Sequence, residues 1–196
     1  MNPEVGPASV GARRASLVQS RAVRRGIAIG LGTLLVALSA QVVVPVPFSP
    51  VPMTLQPLAV LAVGGLLGAV GGFSALVVYL ILGVLGLPVF APGGLPGALR
   101  LIGPTGGYLL AFPIAAGVTG ALPGRVPRSV LRVLLACALG MVIIHVGGVA
   151  QLALLGGDPA LAMRIGFVPF LTGDLLKVGL AAALILAAGP RVRSLL

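Results

Sequence analysis

Two residues of opposite charge lie three positions apart in an otherwise apolar segment near the C-terminus, Asp174 and Lys177. This spacing places both side chains on one face of a helix. A charged side chain in hydrocarbon costs at least about 2.5–3.5 kcal/mol, so such residues usually face a bundle interior or a wet cavity and mark a functional site. The alternative is a structural ion pair, although such a pair is rarely more stable than two apolar side chains.

Arg100 is the second candidate for ligand binding. It precedes a glycine-rich segment at residues 103–107, and a guanidinium in this position can hold a carboxylate through two parallel hydrogen bonds. The alternative is an interfacial arginine that reaches toward lipid headgroups. Tyr79 and Tyr108 are the only tyrosines, and each is a candidate either for a ligand contact or for an interface anchor.

The sequence contains no recognisable catalytic or metal-binding pattern. His145 has no second histidine or cysteine at ligand spacing, so we interpret it as a structural histidine and predict no metal. There is no Gly-x-Ser-x-Gly or His-Glu-x-x-His motif. We therefore expect a protein that is not an enzyme and that holds no cofactor.

The composition is that of a membrane protein. Of 196 residues, 58% are hydrophobic and 8% charged, and the mean hydropathy is +1.18, whereas an average soluble domain has about 25% charged residues. The net charge of +10 comes from basic residues that flank apolar runs, as is typical of membrane spans. No basic stripe is interleaved with aromatic residues, which argues against nucleic-acid binding.

Six apolar segments, each near the length needed to cross a bilayer, predict an all-α bundle of six transmembrane helices. They are residues 26–44, 55–70, 72–87, 105–122, 129–153 and 167–189. We expect the second and third to form a tight helical hairpin with a glycine-rich turn, rather than a re-entrant pair, because lipid-exposed irregular backbone is not tolerated.

The segments at the two ends of the chain are predicted to lie on one side of the membrane. Residues 1–25 are expected to be a disordered cytoplasmic tail, 26–189 the membrane domain and 190–196 a short basic cytoplasmic tail. The run that starts at Gly26 is longer than the core of a signal peptide, so we interpret it as a retained span. Of the 13 basic residues, all except Arg100, Arg164 and Lys177 then lie on the cytoplasmic side.

Two proline-rich loops are expected on the opposite side, at residues 45–54 and 87–97. Proline restricts the backbone and removes amide donors, so the first loop is predicted to be stiff and extended. The composition of both loops is typical of lids over a binding site. The alternative is that the loops only end the helices on either side.

The first predicted span carries two overlapping pairs of small residues at a spacing of four, Gly26 with Gly30 and Ala28 with Gly32. Such pairs let another helix approach closely. They are candidates for docking a partner membrane subunit, and the alternative is packing within the bundle.

Four segments of the chain resemble the BioY family, the biotin-specific S components of energy-coupling factor (ECF) transporters. They are PFSPVPMTLQ at 47–56, YLILGVLGLPVF at 79–90, GPTGGY at 103–108 and GDLLK at 173–177. The resemblance implies the six-helix ECF S-component fold and a biotin pocket closed by the first and third inter-helix loops. It also implies partners, namely a membrane scaffold subunit and two cytoplasmic ATPases, because this chain has no phosphate-binding motif of its own.

The same resemblance implies roles for the candidate site residues. Asp174 would accept a hydrogen bond from the ureido ring of biotin, and Lys177 or Arg100 would bind the opposite polar end. Further candidate contacts carried by the motifs or their neighbours are Phe90, Tyr79, Tyr108, Thr105 and Gln56. A stand-alone secondary transporter that couples protons through Asp174 and Lys177 remains the alternative function, and an intramembrane enzyme would need a nucleophile and base that the sequence does not offer.

Overall fold

A computed structural model describes residues 7–124 and 129–196, with side chains described from residue 19 onward. Within these ranges the protein is all-helical apart from one pair of two-residue strands. In chain order the elements are α1 Pro7–Ala40, β1 Val43–Val44, β2 Met53–Thr54, α2 Gln56–Val84, α3 Leu99–Ile102, α4 Gly106–Ala121, α5 Val130–Gly156, α6 Pro159–Gly166, a 3-10 turn Val168–Phe170 and α7 Leu171–Leu195.

Helix α1 begins at Pro7, well before the start predicted at Gly26. The described part of the segment 1–25 is therefore helical, although its polar composition predicted a disordered tail. Proline suits the first turn of a helix, and the alanines and arginines that follow are good helix formers. Residues 1–6 lie outside the described part of the chain.

Helix α2 is folded back on itself at Gly68. This residue has φ 79° and ψ 176°, a conformation that glycine adopts without steric cost. Nε2 of Gln56 lies 2.7 Å from the hydroxyl of Tyr79, although 23 residues in a straight helix would separate them by about 34 Å. The two arms, residues 56–67 and 69–84, are thus antiparallel, as the predicted hairpin requires.

Four helical stretches in the described part of the chain are long and apolar enough to cross a bilayer: Gln19–Ala40, Gln56–Val84, Val130–Gly156 and Pro159–Leu195. Gly106–Ala121 is apolar but shorter. When the two arms of α2 are taken separately, the bundle consists of six helices, namely α1, the two arms, α4, α5 and α7.

Small residues allow the arms of α2 to pack closely on α4. A side chain at Gly64 would collide with the backbone of Ala116, and one at Gly120 would collide with residues 68 and 69. Such backbone-to-backbone contact is a usual way for helices to associate within a membrane. A second cluster, around Leu61, joins α2 to α5 and α7 and contains the single cysteine, Cys137, which is fully buried.

The small residues of α1 lie on two different faces. Gly26 and Gly30 are exposed, and nothing lies within 4 Å of a Cβ built on either. Gly32 is buried, with its Cβ position 3.0 Å from Cγ1 of Val63, and Ala28 is partly buried. Of the two pairs, Gly26 with Gly30 is therefore the one that presents an open surface.

The proline-rich segment after α1 forms a hairpin rather than a single extended run. Val43 pairs with Thr54 and Val44 with Met53 in an antiparallel ladder. Phe48, at the tip, has a positive φ of 66° and is 97% exposed. Proline restricts the backbone, and the chain is extended on both sides of the turn. The turn itself returns the chain to the start of α2.

The C-terminal Arg193 differs from its predicted role. Its position at the end of an apolar run made it one of the basic residues expected to flank a membrane span. Instead, its guanidinium donates hydrogen bonds to the carbonyls of Gly65, Gly120 and Gly124. These carbonyls lie at helix ends, where backbone acceptors lack intrahelical partners.

Candidate substrate-binding cavity

A cavity lies among α2, α4, α5 and α7 and is bordered by the two proline-rich loops. It contains about 640 Å³ of unfilled space, a figure that includes the open space at its mouth. Its lining is mostly apolar and aromatic, with a few polar side chains: Val51, Pro52, Thr54, Gln56, Pro57, Phe90, Ala91, Arg100, Thr105, Tyr108, Leu109, Phe112, Ile144, His145, Phe170, Asp174 and Lys177.

Three ionisable side chains form a connected group in one wall. Oδ1 of Asp174 accepts a hydrogen bond from Nζ of Lys177 at 2.9 Å, and Oδ2 lies 2.6 Å from Nε2 of His145. Each of the three residues is at most 8% exposed. Asp174 is in the first turn of α7, where the helix dipole favours a carboxylate. The group is therefore paired, and it is placed on a helix end that stabilises its negative member.

Aromatic rings surround the imidazole of His145. Its centroid lies 4.9 Å from that of Phe167 and 6.0 Å from that of Tyr108, both edge to face, and 6.2 Å from that of Phe170. The hydroxyl of Tyr108 donates to the carbonyl of Gly166 at 2.6 Å. Gly148 on α5 leaves room for the Tyr108 ring, because a Cβ there would overlap it.

A second polar group is built around Gln56 at the start of α2. Its Nε2 donates to the hydroxyl of Tyr79, which in turn donates to the carbonyl of Val89 at 3.1 Å. The hydroxyl of Thr54 donates to Oε1 of Gln56 at 3.2 Å. Tyr79 also meets Phe90 edge to face at 5.5 Å. This chain of contacts ties the second proline-rich loop to both arms of α2.

Arg100 is buried rather than exposed at a membrane interface. Its guanidinium donates to the carbonyl of Ala91 and packs against Gly94, where a Cβ would overlap it. Nε2 of Gln151, on α5, donates to the carbonyls of Leu101 and Gly103 at 2.9 and 2.6 Å. The short helix that carries Arg100 is thereby fixed to the bundle.

The structure brings most of the predicted site residues to this one cavity. Those in its lining are Asp174, Lys177, Arg100, Tyr108, Phe90, Thr105 and Gln56. Tyr79 is fully buried behind the wall, where it holds Gln56. Both proline-rich loops supply wall residues, the first through Val51, Pro52 and Thr54 and the second through Phe90 and Ala91.

Sequence reasoning did not assign His145 to the site. The residue was interpreted as structural because no ligand partner lies near it in the chain, and its actual partner, Asp174, is 29 residues away. The available signal was that a polar side chain within an apolar span normally has a functional or paired role. The apolar lining residues, such as Pro57 and Ile144, gave no signal that separates them from ordinary core positions.

The chemistry of the cavity suits a ligand that is partly apolar and has polar groups at more than one position. A carboxylate, an ammonium and an imidazole lie in one wall, and an amide and a guanidinium belong to other elements. The aromatic and aliphatic residues between them can enclose a ring or a short alkyl chain. In the described residues, no group of three His, Cys, Asp or Glu side chains could hold a metal ion.

Comparisons with known proteins agree with this description. The sequence profile of the BioY family matches residues 12–194. A probable biotin transporter BioY of Pyrococcus horikoshii is 39% identical over 160 residues, covering 81% of this chain and 93% of the relative. The biotin transporter BioY of Thermotoga maritima is 38% identical over 164 residues, covering 84% and 95% of the two chains.

A solved structure shares the fold. The crystal structure of the S component for biotin from an ECF-type ABC transporter superposes with a TM-score of 0.77 at 25% identity, and the match covers 84% of this chain and 90% of the other. The relatives are named as transporters, which confirms the prediction that the protein is not an enzyme. With several apolar helices and a family profile that covers nearly its whole length, the protein is a multi-pass cell-membrane protein that belongs to the BioY family.

Proposed function

We propose that this protein binds biotin for uptake as the substrate-binding S component of an ECF-type transporter. The observation that carries the proposal is the cavity whose wall contains the paired Asp174, Lys177 and His145 side chains. Buried ionisable groups in a membrane bundle normally serve a substrate or ion pathway. The BioY relatives and the solved S component support biotin as the ligand.

Biotin has chemical groups that match the cavity. Its ureido ring donates and accepts hydrogen bonds, its thiophane ring and alkyl chain are apolar, and its carboxylate is anionic. In the proposal Asp174 accepts from the ureido ring and Arg100 or Lys177 binds the carboxylate. Phe90 and Tyr108, which line the cavity, enclose the apolar portion.

Gln56 and Thr105 complete the proposed set of ligand contacts. Tyr79 acts from behind the wall, because its hydroxyl is bonded to Gln56 and to the backbone at Val89. In this arrangement Tyr79 positions the amide of Gln56 rather than touching the ligand.

The proposed topology has six spans with both termini in the cytoplasm, a membrane domain at 26–189 and tails at 1–25 and 190–196. Its support is the placement of most basic residues toward one side. The exposed Phe48 and Ser194 allow a test by single-cysteine labelling with a membrane-impermeant maleimide. Phe48→Cys should react in intact cells and Ser194→Cys only after permeabilisation, whereas the reverse pattern would contradict the topology.

The proposal assigns ATP hydrolysis to two cytoplasmic ATPase subunits, and it includes a membrane scaffold subunit as the direct membrane partner of this protein. The open face of α1 around Gly26 and Gly30 is the proposed docking surface, because small exposed residues allow close helix approach. Gly30→Leu should reduce co-purification of the scaffold without changing biotin binding. Gly26→Leu is the second variant on the same face, and full co-purification of both would refute the assignment.

Binding of radiolabelled biotin to the detergent-purified protein, by equilibrium dialysis, tests the function directly. The parent should bind saturably. Asp174→Asn and Lys177→Met should each weaken binding by at least about 30-fold, because removing one partner of a buried charged pair typically costs 2–5 kcal/mol. Leu176→Ala, exposed on the same helix, is the control. Absence of saturable binding by the parent, or parent-like affinity in both charge variants, would overturn the proposal.

The alternative function can be tested with the same purified protein in an uptake experiment. A secondary transporter that uses Asp174 and Lys177 for proton coupling would take up biotin into proteoliposomes without ATPase subunits, and a protonophore would abolish the uptake. The proposed S component should show no concentrative uptake until the partner subunits and ATP are supplied.

A further inference from the structure

One nitrogen of the ionisable group is left without a partner. Among the side chains that the structure describes, Nδ1 of His145 is the buried polar atom that makes no hydrogen bond. His145 is 92% buried and lies in the cavity lining. Because a buried polar group without a partner typically costs about 1–3 kcal/mol, such atoms call for an explanation, and a bound ligand is one.

The hydrogen bond of the other ring nitrogen, Nε2, determines whether Nδ1 is a donor or an acceptor. The Asp174 carboxylate already accepts from Lys177, and an ionised carboxylate can only accept, so Nε2 of His145 carries the proton that it shares with Oδ2. With one negative charge on Asp174 and one positive charge on Lys177, a neutral imidazole keeps the group electrically balanced. Nδ1 of that tautomer is a hydrogen-bond acceptor.

None of the three aromatic side chains around the imidazole supplies the missing donor. The ring is surrounded by Phe167 and Phe170, which have no polar atoms, and by Tyr108. The hydroxyl of Tyr108 already donates to the carbonyl of Gly166. Nδ1 therefore has no partner among the described residues, and a molecule in the cavity can supply the donor.

We propose that Nδ1 of His145 accepts an N–H hydrogen bond from the substrate and that His145 is a specificity-determining residue of the cavity. This inference rests on the proposed function. Biotin has N–H groups only in its ureido ring, and an ionised carboxylate has no donor. The ring must then lie against α5 and α7, beside Asp174, and the carboxylate extends toward the remaining fixed cation of the lining, Arg100.

A purely structural histidine would behave differently. If His145 only held Asp174 in place, its replacement would weaken binding of every ligand equally. If Nδ1 contacts the substrate, the loss is confined to ligands that retain the one ureido N–H that donates to Nδ1. Ligand dependence therefore separates the two roles.

The test uses the full-length protein in detergent and equilibrium dialysis with biotin, with its methyl ester and with two analogues methylated at one or the other ureido nitrogen. His145→Gln is the informative variant, since its amide reaches the position of Nε2 and can still donate to Asp174. Val146→Ala, an exposed neighbour on the same helix, is the control. His145→Asn, whose amide lies near the position of Nδ1, is the second variant.

His145→Gln is expected to weaken binding of biotin and of its methyl ester by about 10- to 100-fold, the cost of an unsatisfied buried donor. For one of the two methylated analogues, the parent and His145→Gln should bind equally, because the hydrogen bond is absent from both complexes. His145→Asn should keep the preference of the parent for biotin over that analogue, and it carries the test if His145→Gln does not fold.

Two outcomes would overturn the inference while the parent still binds biotin. One is parent-like biotin affinity of His145→Gln, and the other is an equal loss for all four ligands. Failure of the parent to bind biotin would instead refute the proposed function, so the two failures are distinguishable.

Discussion

Arg193 donates two hydrogen bonds to the carbonyl of Gly65, at 2.9 and 2.6 Å, although the two residues are 128 positions apart in the sequence. In an uninterrupted helix this carbonyl would accept from the amide of residue 69. Gly68 interrupts the helix, so the acceptor is left open at the C-terminal end of the first arm of α2. A guanidinium there satisfies the carbonyl and also lies at the negative end of the helix dipole.

Replacing Arg193 with Gln is expected to destabilise the fold without altering the cavity. The substitution removes the charge and most of the donors to the carbonyls of Gly65, Gly120 and Gly124. The expected loss is about 1–3 kcal/mol, seen as a lower midpoint of thermal unfolding in detergent. Arg191→Gln makes the same charge change at an exposed position of α7. Equal midpoints for the two variants would show that the carbonyl contacts do not matter.

Tyr79→Phe tests the support behind Gln56. The change removes one hydroxyl that accepts from Gln56 and donates to Val89, while the edge-to-face contact with Phe90 remains. We expect a stability loss of about 1 kcal/mol and weaker biotin binding, because the amide of Gln56 is no longer fixed. Dialysis and thermal unfolding measure the two effects. An unchanged affinity would mean that the orientation of Gln56 is not needed for binding.

Gly148→Ala tests the room left for the Tyr108 ring. The added methyl would overlap that ring, and overpacking of this kind usually costs about 1–3 kcal/mol. Because Tyr108 lines the cavity, biotin affinity should fall together with the unfolding midpoint. Gly156→Ala, on the same helix with nothing within 4 Å of the new Cβ, should leave both measurements unchanged. A harmless Gly148→Ala would show that the ring can move without affecting the site.

The charged pair on α7 gives a prediction about combined substitutions. Asp174→Asn leaves the ammonium of Lys177 buried beside a neutral amide, whereas adding Lys177→Met removes that charge too. Breaking one member of a buried pair is more costly than replacing both. The double variant should therefore unfold at a higher temperature than Asp174→Asn alone, although neither should bind biotin tightly. A double variant that is less stable than the single one would contradict this account.

The helices were predicted well where local sequence determines them. Apolar runs located α4 and α5 to within a few residues. The glycine-rich turn predicted the hairpin in α2, although the predicted spans divide at residue 71 and the structure divides the helix at Gly68. The start of α1 at Pro7 was not predicted, because the polar composition of residues 1–25 favoured a disordered tail. Helix α6 was also missed, although Asp158 followed by Pro159 is a recognisable start and the Asp158 side chain caps it.

The cavity was harder to predict than the helices because its contacts join distant parts of the chain. Asp174 and Lys177 could be identified because charge is rare in an apolar span. The pairing of His145 with Asp174 and the role of Arg193 at helix ends depend on tertiary approach, which spacing does not reveal. Resemblance to a family predicted which loops line the cavity. It did not predict that Gln56 lies in the wall while Tyr79 lies behind it, because this depends on how the two arms of α2 pack.

The burial of Cys137 has a practical consequence for these experiments. It is the sole cysteine of the chain, and it is fully enclosed in the cluster that joins α2, α5 and α7. A reagent that becomes fluorescent when it reacts with a thiol should therefore give no signal while the protein is folded. Its fluorescence should rise when the cluster opens. The protein thus carries its own unfolding reporter, and a cysteine engineered elsewhere can be labelled against a silent background.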